Sequence, residues 1–173
     1  MKEEATYCPD SSSLIDIDRH YHQELRRITK WAKQKLIKIP RGVQRELHSR
    51  SGDRLSNTVS GWIKKHDASV DLMRHQDARQ LFGEIERKYG NGIRVGNQNY
   101  PGLFQSPRSK KSADAEVIAI SKAFRYVVVS NDKAIQSACM LENVECITWQ
   151  EFLRRVRGGQ QMDFFIDDRI KPS

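Results

Sequence analysis

The sequence predicts an α/β protein built on a parallel sheet, from three observations. Tyr126-Val127-Val128-Val129 is an unbroken apolar, β-branched run, the pattern of a strand buried on both faces. Around it, helical and strand-like segments alternate through the last third of the chain, the order that parallel strands with crossover helices produce. Near the start, the β-capable segment Ala5-Thr6-Tyr7-Cys8 is stopped by Pro9-Asp10-Ser11-Ser12-Ser13 and followed by Leu14-Ile15. That order reads as strand, N-cap and helix.

The remaining elements follow from periodicity and breakers. Leu25, Ile28, Trp31, Ala32 and Leu36 recur at helical spacing among basic residues, so an amphipathic helix is expected over 22–36. Ile37 to Pro40 is extended, and Pro40 suits the first turn of a helix carrying Val43 and Leu47. Residues 53–89 read as wholly helical in two pieces. Leu55, Val59, Trp62 and Ile63 mark one, and Leu72, Met73, Leu81, Phe82 and Ile85 the other, with Gly90-Asn91-Gly92 ending them. From Ile93 to Ser112 no period is visible, and a loop of roughly 20 residues in a compact domain is generally functional or disordered.

Beyond that loop come a helix from Ala113 to Phe124, the valine strand, a helix from Asp132 to Met140, a strand from Val144 to Ile147, and a helix from Trp149 to Val156. Residues 157–173 are polar apart from the island Phe164-Phe165-Ile166, expected to pack on its own domain. The expected organisation is one domain over 1–157, with a helical and loop insertion at 53–112 and a polar tail over 158–173.

The 173 residues suffice to bury a core without staples. No apolar run approaches the roughly 18 residues of a membrane span, and the start MKEEATYC is acidic rather than signal-like. Three cysteines, Cys8, Cys139 and Cys146, form no CxxC pair, which argues against a disulfide framework or zinc ribbon and suits reduced thiols in the cytoplasm. Lys and Arg total 30 against 22 Asp and Glu, a net charge of +8. Such a balance favours polyanionic partners, since neutralised phosphates release counterions. It does not separate an enzyme acting on nucleic acid from a passive binder.

Asp10 follows the first strand and Asp132 follows the valine strand. Sites in parallel sheets form beyond the carboxyl ends of strands, so both acids belong at one edge. Asp114 opens the helix before the valine strand, which puts it at the same edge, and Glu46 lies on the short helix entered at Pro40. Taken singly, Asp10 and Asp132 are N-caps, Asp114 complements a helix dipole, and Glu46 is a surface glutamate. Gathered, they would repel one another, and a bound hard cation is the usual compensation. No serine-hydrolase elbow, HExxH or Walker A loop is present. The five histidines are scattered, and His20 and His22, two apart on a helix, point different ways. Asp16 and Asp18 are expected to face solvent, and Cys8 to be core.

Four segments together resemble PIN domains. Tyr7-Cys8-Pro9-Asp10-Ser11-Ser12-Ser13-Leu14-Ile15 is similar to the family's opening strand and aspartate. Pro40-Arg41-Gly42-Val43-Gln44-Arg45-Glu46-Leu47 is similar to the segment bearing its glutamate. Ser112-Ala113-Asp114-Ala115-Glu116-Val117-Ile118-Ala119 is similar to the helix of its third acid. Val127-Val128-Val129-Ser130-Asn131-Asp132-Lys133 is similar to its strand followed by Thr/Ser-x-Asp. Order and spacing agree across most of the chain, apart from 53–105 and the tail.

The resemblance implies a three-layer α/β/α fold with a mainly parallel central sheet and an added helical region. It implies an acidic pocket of Asp10, Glu46, Asp114 and Asp132 holding Mg²⁺ or Mn²⁺, and hydrolysis of RNA by metal-activated water. Ser12 would hold Asp10 by a hydrogen bond and Ser130 would orient Asp132. Glu116 and Asn131 would be outer helpers, or serve a helix dipole and a turn. Small members of the family are toxins of the VapC type, so a toxin ribonuclease with a cognate antitoxin, and a homodimer by analogy, are further implications. Arg108, Lys110 and Lys111 lead into Asp114 and are expected to contact RNA phosphates. A non-catalytic nucleic-acid-binding or scaffold module, its acids serving as caps, is the reading from another class. A DNA-directed nuclease is a third.

Overall fold

In the computed structural model, which describes residues 4–49, 53–104 and 113–158, the β-branched and aromatic segments pair in parallel. β1 (Tyr7–Pro9) leads into α1 (Ser11–Tyr21), a 3₁₀ turn (His22–Glu24) and α2 (Leu25–Lys33). β2 (Ile39–Pro40) passes directly into α3 (Arg41–His48), and α4 (Arg54–His66) into β3 (Ser69–Val70). A second 3₁₀ turn (Leu72–Arg74), α5 (Gln76–Tyr89) and the strands β4 (Gly92–Val95) and β5 (Gln98–Pro101) follow. The chain closes with α6 (Ala113–Phe124), β6 (Val127–Val129), α7 (Lys133–Leu141), β7 (Cys146–Ile147) and α8 (Trp149–Val156).

β6 lies between β1 and β7, parallel to both, with Cys8 opposite Val128 and Val129 opposite Ile147. β2 and β3 form a second parallel pair. A bridge between Tyr7 and Ile37 joins the two, with Tyr7 N donating to Leu36 O at 2.8 Å and Lys38 N to Tyr7 O at 2.9 Å. The spatial order is therefore β3, β2, β1, β6, β7. After β1 the chain moves outward to β2 and β3, then re-enters on the opposite side at β6.

Helices flank the sheet in a three-layer α/β/α arrangement. Side chains alternate across β1 as pleating requires. Tyr7 meets Trp31 of α2 and Phe152 of α8, at ring-centroid distances of 5.3 and 5.2 Å. Cys8 faces the other way, beside Ser121 of α6. The core runs through both layers, from Leu14, Ile17 and Ile28 to Ile118 and Ile120, all fully buried. Each such side chain stabilises the fold by about 1.5–3 kcal/mol. Trp62 of α4 is buried too and satisfies its indole N–H on Thr29 Oγ1 of α2, at 2.8 Å.

Three expectations about elements need correction. The helix expected over 22–36 is a 3₁₀ turn followed by α2, which ends at Lys33. Lys35 then takes a left-handed conformation (φ 63°) that swings the chain back to pair Ile37 with β1. The stretch 53–89 is not wholly helical, because α4 stops at a left-handed Asp67 (φ 54°) and Ser69–Val70 pairs with β2. A strand of two residues is too short to show a period. The segment after Ile93 is not all loop: β4 and β5 form an antiparallel hairpin closed by Gly96-Asn97, with Gly96 at φ 58°. Gly-Asn between strands is a hairpin signal, and glycine adopts that conformation with no Cβ penalty. Residues 105–112 and the Phe164-Phe165-Ile166 island lie outside the described residues. Among those described, no helix is long and apolar enough to cross a membrane.

Candidate active site at the carboxyl edge of the sheet

β1 and β6 are the neighbouring strands between which the strand order reverses, and the crevice beyond their carboxyl ends is where an open α/β sheet offers a site. Asp10 lies one residue past β1. It is only 2% exposed and caps α1, its Oδ1 accepting from Ser13 N at 2.7 Å. Its Oδ2 accepts from Ser130 Oγ, across the strand gap, at 2.5 Å. Burial pushes the Asp10 pKa up, the bonds from Ser13 and Ser130 pull it back, and the Asp132 carboxylate adds to the rise.

Ser130 is the link at this edge. Its hydroxyl donates to Asp10 while accepting from Asp132 N at 3.0 Å, so one side chain fixes the ends of both strands. Asp132 is exposed and caps α7, with Ala134 N and Ile135 N both bonded to Oδ1 at 2.8 and 3.0 Å. Glu46, half-buried on α3, accepts through Oε2 from the hydroxyl of Ser11, the residue after Asp10. Asp114 sits half-buried in the first turn of α6.

α3 begins at Pro40 with no side-chain cap of its own. The orphan N–H of Gly42 is met from α6, where Glu116 Oε2 accepts it at 2.9 Å. Only glycine fits at position 42, since a Cβ there would stand 2.5 Å from that oxygen and 3.0 Å from Ala113 Cα. Glu116 is 5% exposed, and burial raises its pKa against the pull of Arg45 and the backbone N–H groups. The helix carrying Glu46 is thereby locked to the helix carrying Asp114.

Several sequence expectations are corrected here. Ser12 does not hold Asp10; it is exposed, and Ser13 N and Ser130 Oγ supply the bonds. Ser130 orients Asp132 through its backbone N–H, and gives its own proton to Asp10. Asn131 ties the start of α8 instead of serving the acids, with Trp149 N bonded to its Oδ1 at 3.0 Å. Asp18 is not simply solvated, because Arg54 pairs with it at 2.8 Å. Cys8 is core, its thiol pushed up to about 12 by burial. Arg108, Lys110 and Lys111 lie outside the described residues.

Among the described residues, no group of three or more His, Cys, Asp or Glu side chains is gathered closely enough to hold an ion. The four acids do not meet as a single cluster. Asp10 and Asp132 are joined at Ser130, and Glu46 adjoins them through Ser11. The donor chemistry, carboxylate oxygen alone, matches a hard cation, and Mg²⁺ is usually held by one or two carboxylates plus waters. Asp10 and Asp132 are two carboxylates of that kind, tied to one another through Ser130. Sequence reasoning missed Ser11, Ser13 and Gly42, and left Glu116 between two roles. The signal available for the last pair was a helix start at Pro40 with no Ser, Thr, Asp or Asn to cap it.

Comparison with known proteins gives one family and a set of solved structures. The model of the family described as Domain of unknown function (DUF4411) matches residues 7–159. The solved structure of PAE2754 from Pyrobaculum aerophilum is similar at 15% identity and a TM-score of 0.47, over 88% of this chain and 97% of that one. No curated protein matches the chain.

Proposed function

We propose that this chain, which belongs to the DUF4411 family, is a divalent-metal-dependent endoribonuclease whose site is the carboxyl edge of β1 and β6. The observation that carries the reading is Ser130, which binds a buried Asp10 on one side and the start of Asp132 on the other. An N-cap aspartate ordinarily sits at the surface with its second oxygen in water. Asp10 is 2% exposed at a topological switch point, and burial, with a smaller addition from the Asp132 carboxylate, raises its pKa. Burying a carboxylate beside another costs stability, and a bound cation offsets that cost. The resemblance to PIN domains in four ordered segments supports the same reading.

Asp10 and Asp132 would hold Mg²⁺ or Mn²⁺, with Glu46 beside them. The ion would supply charge neutralisation at the phosphoryl group and a water of lowered pKa. The chain's own part is positioning. Ser13 N and Ser130 Oγ fix the plane of the Asp10 carboxylate, and Ser11 fixes Glu46. Glu116 holds the α3 backbone that presents Glu46. No side-chain nucleophile is needed. The Cys8 thiol is buried and protonated, and the hydroxyls of Ser11 and Ser130 donate to carboxylates. A toxin role, with an antitoxin as partner, rests on the resemblance and on no residue of this edge.

Cleavage of end-labelled single-stranded RNA in Mg²⁺ or Mn²⁺ tests the proposal. Asp10→Asn and Asp132→Asn should each lower the rate by about 10²-fold or more while circular dichroism stays native. Undiminished cleavage in both variants would end the reading. One observation favours a second reading, a non-catalytic nucleic-acid-binding module: the described residues form no three-ligand group. Wild-type protein that binds RNA without cutting it in either metal would support that alternative.

A further inference from the structure

Two concavities flank Arg41 and Arg45 on α3. One of ≈ 430 Å³ lies between α3 and α4, where His48 and Lys64 join the two arginines over Leu47, Val59 and Ile63. The other, of ≈ 300 Å³, opens toward α5 and is lined also by Asp71, Met73, Arg79, Phe82 and Glu116. Because both share Arg41 and Arg45, they form one track along α3.

The charges along this track are arranged unequally. The side chains of Arg41 and Arg45 are 54% and 66% exposed. The carboxylates that steady them are recessed: Asp71, 3.4 Å from Arg41, is 14% exposed, and Glu116, 3.7 Å from Arg45, is 7% exposed. A guanidinium carries five donors in a fixed fork, so one recessed contact fixes its stem and leaves donors facing the track. Lys64 and Arg79 add two exposed cations at its ends, and Met73, 64% exposed, stands beside the half-buried Phe82. The residue after Arg45 is Glu46, bonded to Ser11 at the acidic edge.

We propose that this track binds a single-stranded polynucleotide, with Arg41 and Arg45 on neighbouring phosphates and Met73 and Phe82 against a base. Forked guanidiniums favour phosphate, and an apolar face beside them favours an unstacked base over a duplex. The identity of the polymer rests on the nuclease reading. An acidic peptide is the competing ligand chemistry, and the test separates the two.

The test is fluorescence anisotropy of the full chain with a labelled oligouridylate in EDTA, where no metal-dependent cleavage intrudes. Arg41→Gln/Arg45→Gln should weaken binding about tenfold and reduce the slope of log K against log salt by about 1.4, two single-strand phosphates' worth. Should loss of Arg45 unsettle Glu116 and the fold, Lys64→Gln/Arg79→Gln removes equal charge from the track without touching either ion pair, and should weaken binding in the same direction. Arg26→Ala/Lys30→Ala, on exposed positions of α2, should change affinity less than twofold. Track variants that bind like wild type, or an α2 variant that loses as much, would overturn the proposal. So would a polyglutamate peptide that displaces the RNA at equal concentration, which would assign the track to an acidic protein partner. Affinity lost in the track variants, in a protein that never cleaves RNA, would keep the track and end the nuclease reading. Cleavage that persists with affinity unchanged would do the reverse.

Discussion

Asp10 carries two duties that oppose each other. As an N-cap it stabilises α1 through Ser13 N, yet as a buried carboxylate beside Asp132 it costs stability when ionised. Its pKa is raised in the folded chain, so the native state holds that proton more tightly than the unfolded state, and stability rises as pH falls through the folded pKa toward the ordinary value of 3.8. Asp10→Asn keeps the oxygen that caps α1 and removes the charge, while an amide NH2 replaces the Oδ2 that accepts from Ser130, which offsets part of the gain. In metal-free protein it should raise stability by about 1 kcal/mol, or about 2–4 °C in Tm, read by thermal denaturation at neutral pH; a lower Tm would show that the charge is not under stress. Gly42→Ala is expected to act in the opposite direction. Its Cβ must displace Glu116 Oε2 and the Ala113 backbone, at about 1–3 kcal/mol, and equilibrium unfolding in urea will read that loss. At this scale the sequence displayed Asp10 and Asp132 plainly, since each ends a strand and starts a helix. It concealed the Ser130–Asp10 bond, which joins residues 120 apart, and the Glu116–Gly42 bond, 74 apart.

Helix ends decide which elements hold together. α1, α4, α7 and α8 carry their own caps, from Asp10, Asp53, Asp132 and Thr148, and each is visible as a polar residue just before an apolar period. α3 has a borrowed cap, and the 3₁₀ turn at His22–Glu24 is set by a buried Glu24 that Arg27 and Arg157 grip, the latter at 2.8 Å from α8's end. No local pattern announces such a contact. A comparable knot joins α5, α6 and α7. Glu142, just past α7, accepts from Lys122 at 2.5 Å, Tyr89 at 2.6 Å and Lys88 at 3.0 Å. Burial alone would raise its pKa, but these donors outweigh burial and bring it to about 2. The unfolded chain takes up this proton near 4.5 and the folded chain only near 2, so the stabilisation is complete above that window and is lost as pH falls through it. Glu142→Gln should cost about 2 kcal/mol at neutral pH and flatten the acid limb between those values. Chemical denaturation across pH 2–7 checks both, and a variant with an unchanged acid limb would contradict the assignment.

For the whole molecule, the strand order sets where Asp10 and Asp132 lie. Alternation in the last third and the all-valine β6 made the parallel sheet legible, because consecutive buried β-branched residues and the helices between strands leave a strong pattern. β2 is legible only as the extended segment Ile37 to Pro40, and β3 between its helices leaves no pattern, so the order that makes β1 and β6 the reversal point stays hidden. The excess of basic residues was equally visible, but its placement along α3 appears only once α4 and α5 are folded against that helix. Calorimetric titration of Mn²⁺ into the metal-free protein addresses the acidic edge most directly. Saturable binding in wild type, lost in both Asp10→Asn and Asp132→Asn, is the expected result. Heat that is absent in wild type, or that survives both substitutions, would mean that these carboxylates serve only as helix caps.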